Sequence, residues 1–221
     1  MTAEEALKHL RSTDTEEQLA ILRELSSLEA MPELYDTTVE NLRSPEPGVV
    51  FFSLDMLIKK YAAQTRRDAE LLTPQLIQLL STGYGPVVDR AIWALSVTGE
   101  NSINELIRCI ISSTDERSRE AYTWALSRNA HIRQYPMLVV TTLRGLLQDK
   151  NPHIQYAALN ALMDMSPLRP FERLASDAYD FEPVYTELEV TAQALLKAHI
   201  FDTEWIDRYL ELLHNRHKPN H

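Results

Sequence analysis

Two tryptophans in the middle of the chain stand beside arginines at helical spacing. Trp93 follows Arg90 by three residues, and Trp124 precedes Arg128 by four. Residues three or four apart are neighbours on the surface of a helix. Because tryptophan and arginine are the side chains most often found at binding hot spots, these pairs indicate a surface that binds a partner.

A segment nearer the C-terminus mixes acids with aromatic rings. Within residues 177–183 the candidates are Asp177, Tyr179, Asp180, Phe181 and Glu182. Acidic and aromatic side chains on a loop suit a basic partner. A plain solvated connector is the alternative. Calcium is disfavoured because the spacing lacks the glycine and the terminal glutamate of an EF-hand loop.

Groups that could carry covalent or metal chemistry are sparse. Cys109 is the single cysteine and lies in the apolar string 106–111, which favours a buried thiol in a reducing compartment. His214, His217 and His221 lie in a polar tail, which favours a frayed end over a metal site. The strings HExxH, GxSxG, GxGxxG and GxxxxGK[ST] do not occur. We therefore assign no catalytic residue, no metal and no cofactor, and favour a non-enzymatic role.

Charge narrows the class of partner. The 221 residues carry 22 basic and 32 acidic side chains, a net charge of -10. Residues 1–50 carry 4 basic and 11 acidic groups, residues 51–150 carry 12 and 10, and residues 151–221 carry 6 and 11. Acidic ends repel nucleic-acid phosphates and favour a basic protein. No signal peptide and no apolar stretch of the ~18 residues that span a bilayer is found, so we expect a cytoplasmic location.

A frame of 15 residues predicts the elements that position these side chains. Five times an apolar residue is followed by a turn and then, 15 positions after the apolar residue, by a leucine. Successive leucines stand 32, 38, 31 and 36 residues apart. The pairs are Leu10/Leu25, Leu42/Leu57, Leu80/Leu95, Ile111/Leu126 and Leu147/Leu162. Constant spacing within each repeat predicts an array of helical hairpins.

Each repeat is predicted to contain two helices, because apolar residues recur three, four, seven or eight positions apart. The predicted first helices are 4–11, 32–42, 69–80, 102–111 and 135–147. The predicted second helices are 15–28, 47–64, 85–97, 115–128 and 151–165. Proline or acidic residues near the starts of the second helices favour helix initiation.

Three of the second-helix strings resemble the HEAT repeat family, namely residues 85–95, 115–126 and 151–162. In each, a turn with Asp, Asn or Pro leads to branched and polar residues and then to an Ala-rich run that ends in Leu. The resemblance covers about residues 1–166. It implies an all-α, right-handed α-solenoid of the armadillo-like type, with about five to six antiparallel helix pairs and a C-terminal capping helix.

We expect one domain throughout. The repeats are about 1–28, 32–64, 69–98, 102–129 and 135–166, followed by a degenerate last repeat and cap over 167–213 and a tail over 214–221. A helix over 186–198 would be a sixth second helix, but Asp180 stands where the frame needs an apolar residue. A final helix over 203–213, with Trp205 and Tyr209 among its apolar residues, would cap the exposed end of the core.

The resemblance implies that second helices line the concave surface. At 100° per residue, positions two before and two after each anchoring leucine point about 160° away from the core, and the position five before it about 140°. The partner-binding residues selected there are Phe52, Asp55, Arg90, Trp93, Trp124, Arg128 and Asn160. Trp93 and Trp124 occupy equivalent positions in successive repeats and would form one aromatic strip. The alternative is that both tryptophans simply pack.

These features favour a scaffold or adaptor that binds another protein on its concave face. An inhibitor or immunity-type role toward a basic partner is one form of this function. The resemblance also allows an enzyme of the HEAT-like DNA glycosylase type, although Val97 and Arg128 stand where a nearby acid is wanted. A bilin-lyase-like protein is a further alternative that no residue motif specifies.

Overall fold

The computed structural model describes residues 1–168, 179–200 and 203–217. All regular structure in these residues is helical, which confirms the predicted all-α fold class. From the N-terminus, the helices are α1 (Ala3–Leu10), α2 (Thr15–Ser27), α3 (Tyr35–Glu40), α4 (Pro47–Lys59), α5 (Ala62–Arg67), α6 (Ala69–Leu79) and α7 (Gly85–Thr98). They are followed by α8 (Asn101–Ser112), α9 (Glu116–Arg128), α10 (Pro136–Leu146), α11 (Pro152–Met165), α12 (Glu182–Ala198) and α13 (Thr203–Asn215).

The chain divides into two compact units. Unit 1 comprises Met1–Glu105 and unit 2 comprises Leu106–His221, so the division falls inside α8. In unit 1, the second helices α2, α4 and α7 pack side by side, and α1, α3 and α6 each pack against one of them. In unit 2, α9 and α10 pack on α11, α11 packs on α12, and α12 packs on α13. Each unit is thus a set of packed helix pairs, as the 15-residue frame predicts.

Side chains at the predicted turns begin the second helices. The carboxylate of Asp115 accepts a hydrogen bond from the backbone N–H of Ser118 at 2.8 Å. The side chain of Asn151 accepts one from the N–H of His153 at 2.9 Å, and Asp14 caps α2 in the same way. The first amides of a helix have no partner within it, so these bonds fix where the helices start.

The frame residues form much of the core. Those that are buried are Leu10, Leu25, Leu42, Leu57, Leu80, Leu95, Leu126, Leu147 and Leu162. The prediction is wrong for Ile111, which is 75% exposed. The buried stripe of α8 is instead formed by Ile103, Leu106, Ile107 and Ile110. These four residues have helical spacing, and Ile111 lies just past the edge of their stripe.

The predicted helix over 47–64 is wrong beyond Lys59. The backbone of Tyr61 leaves the helical region, with φ -116° and ψ 24°. Its hydroxyl donates a hydrogen bond to the carbonyl oxygen of Met31 at 2.9 Å. Its buried ring meets that of Tyr35 edge to face, with centroids 5.7 Å apart. The interruption therefore accompanies the burial of an aromatic ring that is bonded 30 residues back along the chain.

The C-terminal helices differ in detail from the predicted last repeat and cap. α12 begins at Glu182 rather than at 186, because Pro183 fits the first turn of a helix. α13 packs against α12 with Ile206 and Tyr209 buried. Trp205 lies beside the buried stripe and is 44% exposed, so it is only partly covered. Within the predicted last repeat, residues 169–178 lie outside the described residues.

Within the described ranges, no helix is both long enough and apolar enough to cross a membrane.

Candidate protein-binding faces

The outward side of the second helices in unit 1 carries aromatic and charged side chains from three helices. We call this group the unit 1 face: Arg23 of α2, Phe51, Phe52, Asp55 and Lys59 of α4, and Arg90 and Trp93 of α7. Leucines on the opposite sides of these helices are buried. The core therefore fixes which way the group points.

Cations stack on phenylalanine rings across the unit 1 face. The guanidinium carbon of Arg23 lies 5.8 Å from the ring centroid of Phe52, and that of Arg90 lies 5.4 Å from the ring centroid of Phe51. The two rings meet edge to face with centroids 5.3 Å apart. A cation over a ring face is attracted by the ring quadrupole. A chain of contacts therefore runs from α2 across α4 to α7.

Asp55 is the buried acid of the unit 1 face. One carboxylate oxygen lies 2.7 Å from Nζ of Lys59 and the other lies 3.6 Å from Nε of Arg90. The residue is 8% exposed, so it is not the accessible contact residue that the sequence predicts. A carboxylate that has lost its water needs cationic partners. Asp55 therefore holds Lys59 and Arg90 in position.

Trp93 is the most accessible aromatic side chain of the unit 1 face. It is 43% exposed, whereas Phe51 and Phe52 are half-buried. It follows Arg90 by three residues on α7, so the two side chains share one side of the helix. Tryptophan is usually well buried, and an indole left this open is a candidate contact for a partner.

The equivalent side of the second helices in unit 2 is packed. We call Trp124, Arg128, Tyr156 and Asn160 the unit 2 face. Trp124 is half-buried and meets Tyr156 of α11 edge to face, with centroids 5.9 Å apart. The guanidinium carbon of Arg128 lies 5.5 Å from the Trp124 ring. Asn160 accepts a hydrogen bond from the hydroxyl of Tyr209 on α13 at 2.6 Å. Of the three predicted contact residues here, Arg128 alone is exposed.

The predicted aromatic strip joins residues of different units. Trp93 lies in unit 1 and Trp124 lies in unit 2. Trp93 lies on α7 and Trp124 on α9, both of which are second helices. Trp93 is 43% exposed, whereas Trp124 packs against Tyr156. A continuous strip formed by both stays a prediction.

The acidic segment is only partly a surface loop. Phe181 is 2% exposed, so it is a core residue rather than the predicted contact residue. Its ring stacks on Tyr185 of α12 at 6.4 Å between centroids and meets Tyr179 edge to face at 5.1 Å. Asp180 is exposed just before α12. Glu182 belongs to the first turn of α12, and Asp177 lies outside the described residues.

Tyr179 belongs to a cluster of bonded side chains in unit 2. Nε of Arg144 donates to Oε2 of Glu187 at 3.0 Å, which joins α10 to α12. This bond with Arg144 holds the pKa of Glu187 below its ordinary value. Glu187 raises the pKa of Arg144, and hydrogen bonding to the hydroxyl of Tyr179 adds to that effect. The cluster stabilises unit 2 and leaves Tyr179 less available to a partner than the sequence predicts.

Three residues of these faces were missed by the sequence prediction. Arg23 stands two residues before Leu25, so the same frame extended to α2 would have selected it. Phe51 and Tyr156 stand six residues before the anchoring leucines of their helices, a position that points about 120° away from the core. Extending the frame to that position would have found both rings.

In the part of the chain that the structure describes, no group of three or more His, Cys, Asp or Glu side chains is placed to hold a metal ion. Cys109 is half-buried. His221 of the C-terminal tail lies outside the described residues.

Comparison with known proteins defines the class of fold. No protein-family model and no curated protein matches the sequence. The MAST/Orbit N-terminal domain aligns over 96% of this chain and 96% of its own, with 14% identity and a TM-score of 0.55. A designed armadillo repeat protein in complex with the peptide (KR)4 aligns over 97% of this chain and 99% of its own, with 17% identity and a TM-score of 0.52. The chain therefore has the all-helical repeat fold of the armadillo and HEAT type, as the resemblance implies.

Proposed function

We propose that this protein is a non-enzymatic scaffold that binds another protein through the unit 1 face. The exposed indole of Trp93 supports this function most strongly. It lies near Arg90 on α7, and the opposite side of that helix is buried in the core. Covering an indole of this exposure would favour a complex by on the order of 1–2 kcal/mol. A protein of the same fold has been solved in complex with a peptide, which supports peptide binding as a use of this architecture.

A basic partner is a second candidate, and it would use acidic groups of unit 2 rather than the unit 1 face. On α13, the exposed ring of Trp205 lines one pocket together with Glu204, Asp207 and Glu211. The guanidinium carbon of Arg208 lies 5.5 Å from that ring. Acids around an aromatic ring attract cationic side chains. An inhibitor or immunity-type role toward a basic protein would use this acidic surface.

Affinity capture with matched variants tests the scaffold function. The full-length protein and its Trp93→Ala variant serve as baits in extract of the native host, and captured proteins are quantified by mass spectrometry. Leu71→Ala is the matched control, because Leu71 is 80% exposed on α6, a first helix of the same unit. We expect at least one protein that wild type and Leu71→Ala retain and Trp93→Ala loses.

Equal recovery on all three baits, or no protein above background, would contradict the proposed function. Far-UV circular dichroism and thermal melting of each bait establish that the loss does not come from unfolding.

A further inference from the structure

We propose that the unit 1 face binds an acidic segment of its partner, in which one or two carboxylates flank an apolar or aromatic side chain. The inference rests on the proposed function and names the partner chemistry of the same face. It opposes the expectation from net charge, because the side chains that would make contact are cationic.

The charges of the unit 1 face do not balance. Arg23, Lys59 and Arg90 supply three cations, and Asp55 is the one acid among its members. Asp55 is buried and ion-paired with both Lys59 and Arg90, so its single charge is already shared between them. Two exposed acids lie nearby: Glu24 is next to Arg23 in sequence, and Asp89 stands six residues before Leu95, the position that Phe51 holds on α4. With Asp89 counted, three cations stand against two acids, so the face keeps a small excess of positive charge.

Local charges outweigh the net charge at contact range. The Debye length is about 8–10 Å at physiological ionic strength, so distant surface acids are screened from a bound ligand. The cations of the unit 1 face lie within 6 Å of the phenylalanine rings or of the carboxylate that hold them. A ligand that touches those rings therefore lies within contact range of Arg23 and Arg90.

The arginines also carry the donors that suit carboxylates. A guanidinium holds its N–H groups in one plane, and that fork matches a carboxylate in two parallel hydrogen bonds. Phe52 and Trp93 lie beside these groups on α4 and α7 and offer apolar surface. The combination fits a short peptide in which an acid and a hydrophobic side chain alternate.

A protein segment fits this face better than a nucleic acid. Bases could stack on Trp93 and phosphates could meet the arginines. However, residues 1–50 carry 4 basic against 11 acidic side chains, and an extended polyanion would run from three cations into that acidic surface. A peptide with one or two carboxylates needs only the cations of the unit 1 face.

The test selects ligands without assuming their sequence. Full-length protein is panned against a displayed library of random 12-residue peptides, and enriched peptides are synthesised with a fluorescent label for anisotropy titration. We expect enriched peptides in which Asp or Glu adjoins Trp, Phe or Leu. Their affinity should fall about 3- to 10-fold for Arg23→Gln and for Arg90→Gln, and should weaken as salt rises.

Matched variants separate charge from folding. Arg90→Lys keeps the charge but loses the planar fork, so its affinity should fall between those of wild type and Arg90→Gln. Arg43→Gln removes the same kind of charge from unit 1 at an exposed position that borders a different groove with Leu71 and Pro74, and it should have no effect. Circular dichroism and melting temperature of each variant show that it is folded.

The outcomes distinguish the two proposals. If enriched peptides are basic or neutral and lose binding with Trp93→Ala, the face binds protein but the acidic-segment inference is wrong. If no peptide is enriched, or if binding ignores Trp93→Ala, the proposed function fails as well. Arginine-dependent binding of a 12-nucleotide oligothymidine, without acidic peptides, would also overturn the inference.

Discussion

The two faces use the same positions of the repeat but differ in how far their tryptophans are exposed to solvent. In unit 1, Trp93 is 43% exposed beside cations that stack on phenylalanines. In unit 2, Trp124 is half-buried against Tyr156 and Arg128. Both tryptophans stand two residues before an anchoring leucine. The frame therefore fixes the direction of a side chain, whereas its neighbours decide whether the side chain meets solvent.

The neighbour that matters is the residue six positions before the anchoring leucine of the adjoining helix. In unit 1 that residue is Phe51, and Arg90 of α7 covers it. In unit 2 it is Tyr156, and Trp124 of α9 covers it. In unit 1 the ring is thus covered by a cation, and Trp93 on the same helix stays 43% exposed. A tryptophan on a ring becomes part of the packing.

Truncating the two tryptophans should give the largest contrast. Trp124→Ala removes a half-buried ring with an aromatic contact, so we expect a loss of about 2–3 kcal/mol in the free energy of unfolding. Trp93→Ala should lose less than ~1 kcal/mol, because its ring makes fewer contacts. Urea denaturation measures both, and Trp124→Phe is the control that keeps an aromatic ring. Equal losses of unfolding free energy for the two variants would mean that Trp93 and Trp124 contribute equally to packing.

Removing the buried acid of the unit 1 face should have the next largest effect. Asp55→Ala leaves Arg90 half-buried without its carboxylate, and we expect a loss of about 1–2 kcal/mol because both cations remain partly in water. The loss should shrink in high salt, whereas the loss from Trp124→Ala should not. Denaturation at low and high sodium chloride measures this difference. A salt-independent loss would argue that packing, and not charge, holds the unit 1 face.

The bond that closes the unit 2 face should contribute about 1 kcal/mol. Tyr209→Phe keeps the buried ring and removes the hydroxyl that donates to Asn160. Hydrogen exchange should become faster in α11 and α13 and stay unchanged in α4. A double-mutant cycle with Asn160→Ala isolates the pair. A coupling free energy near zero would mean that this hydrogen bond does not stabilise unit 2.

Acid should weaken unit 2 by a smaller amount through Glu187. Arg144 holds the folded-state pKa of Glu187 below its ordinary value of 4.5, so the stabilisation is fully present above pH 4.5 and is lost as pH falls through the lower folded pKa. The pair is about one-third exposed, and screening reduces its contribution to less than ~1 kcal/mol. Wild type and Glu187→Gln should differ in stability at pH 7 and converge in acid, with Glu211→Gln as the exposed control. A difference that persists unchanged in acid would rule out this linkage.

Much of the fold could be predicted because its signals are local. The frame finds the second helices, and caps such as Asp115 and Asn151 mark where they start. The break at Tyr61 could not be foreseen, because apolar spacing runs through it and its cause is a hydrogen bond to the distant Met31. The early start of α12 was missed because residues 177–183 were interpreted as a loop, although Pro183 suits a first helical turn.

The sequence predicts on which side of a helix the residues of the candidate site lie, but it does not predict how exposed their side chains are. Trp93 and Arg90 lie on the side of α7 that the frame selects, and Arg23 follows from the same rule applied to α2. The burial of Asp55 depends on Lys59 and on Arg90 of another helix, and that of Phe181 depends on Tyr185. Such pairings are set by tertiary packing, which the spacing of one helix does not encode.

The most direct test compares the two tryptophans within the folded protein. Two single-tryptophan proteins are made on a Trp205→Phe background, one with Trp124→Phe to leave Trp93 and one with Trp93→Phe to leave Trp124. Acrylamide quenching of their fluorescence is measured with and without a peptide selected by wild type. We predict that Trp93 is quenched more readily and that the peptide protects Trp93 alone. Equal quenching of both tryptophans, or protection of Trp124, would contradict it.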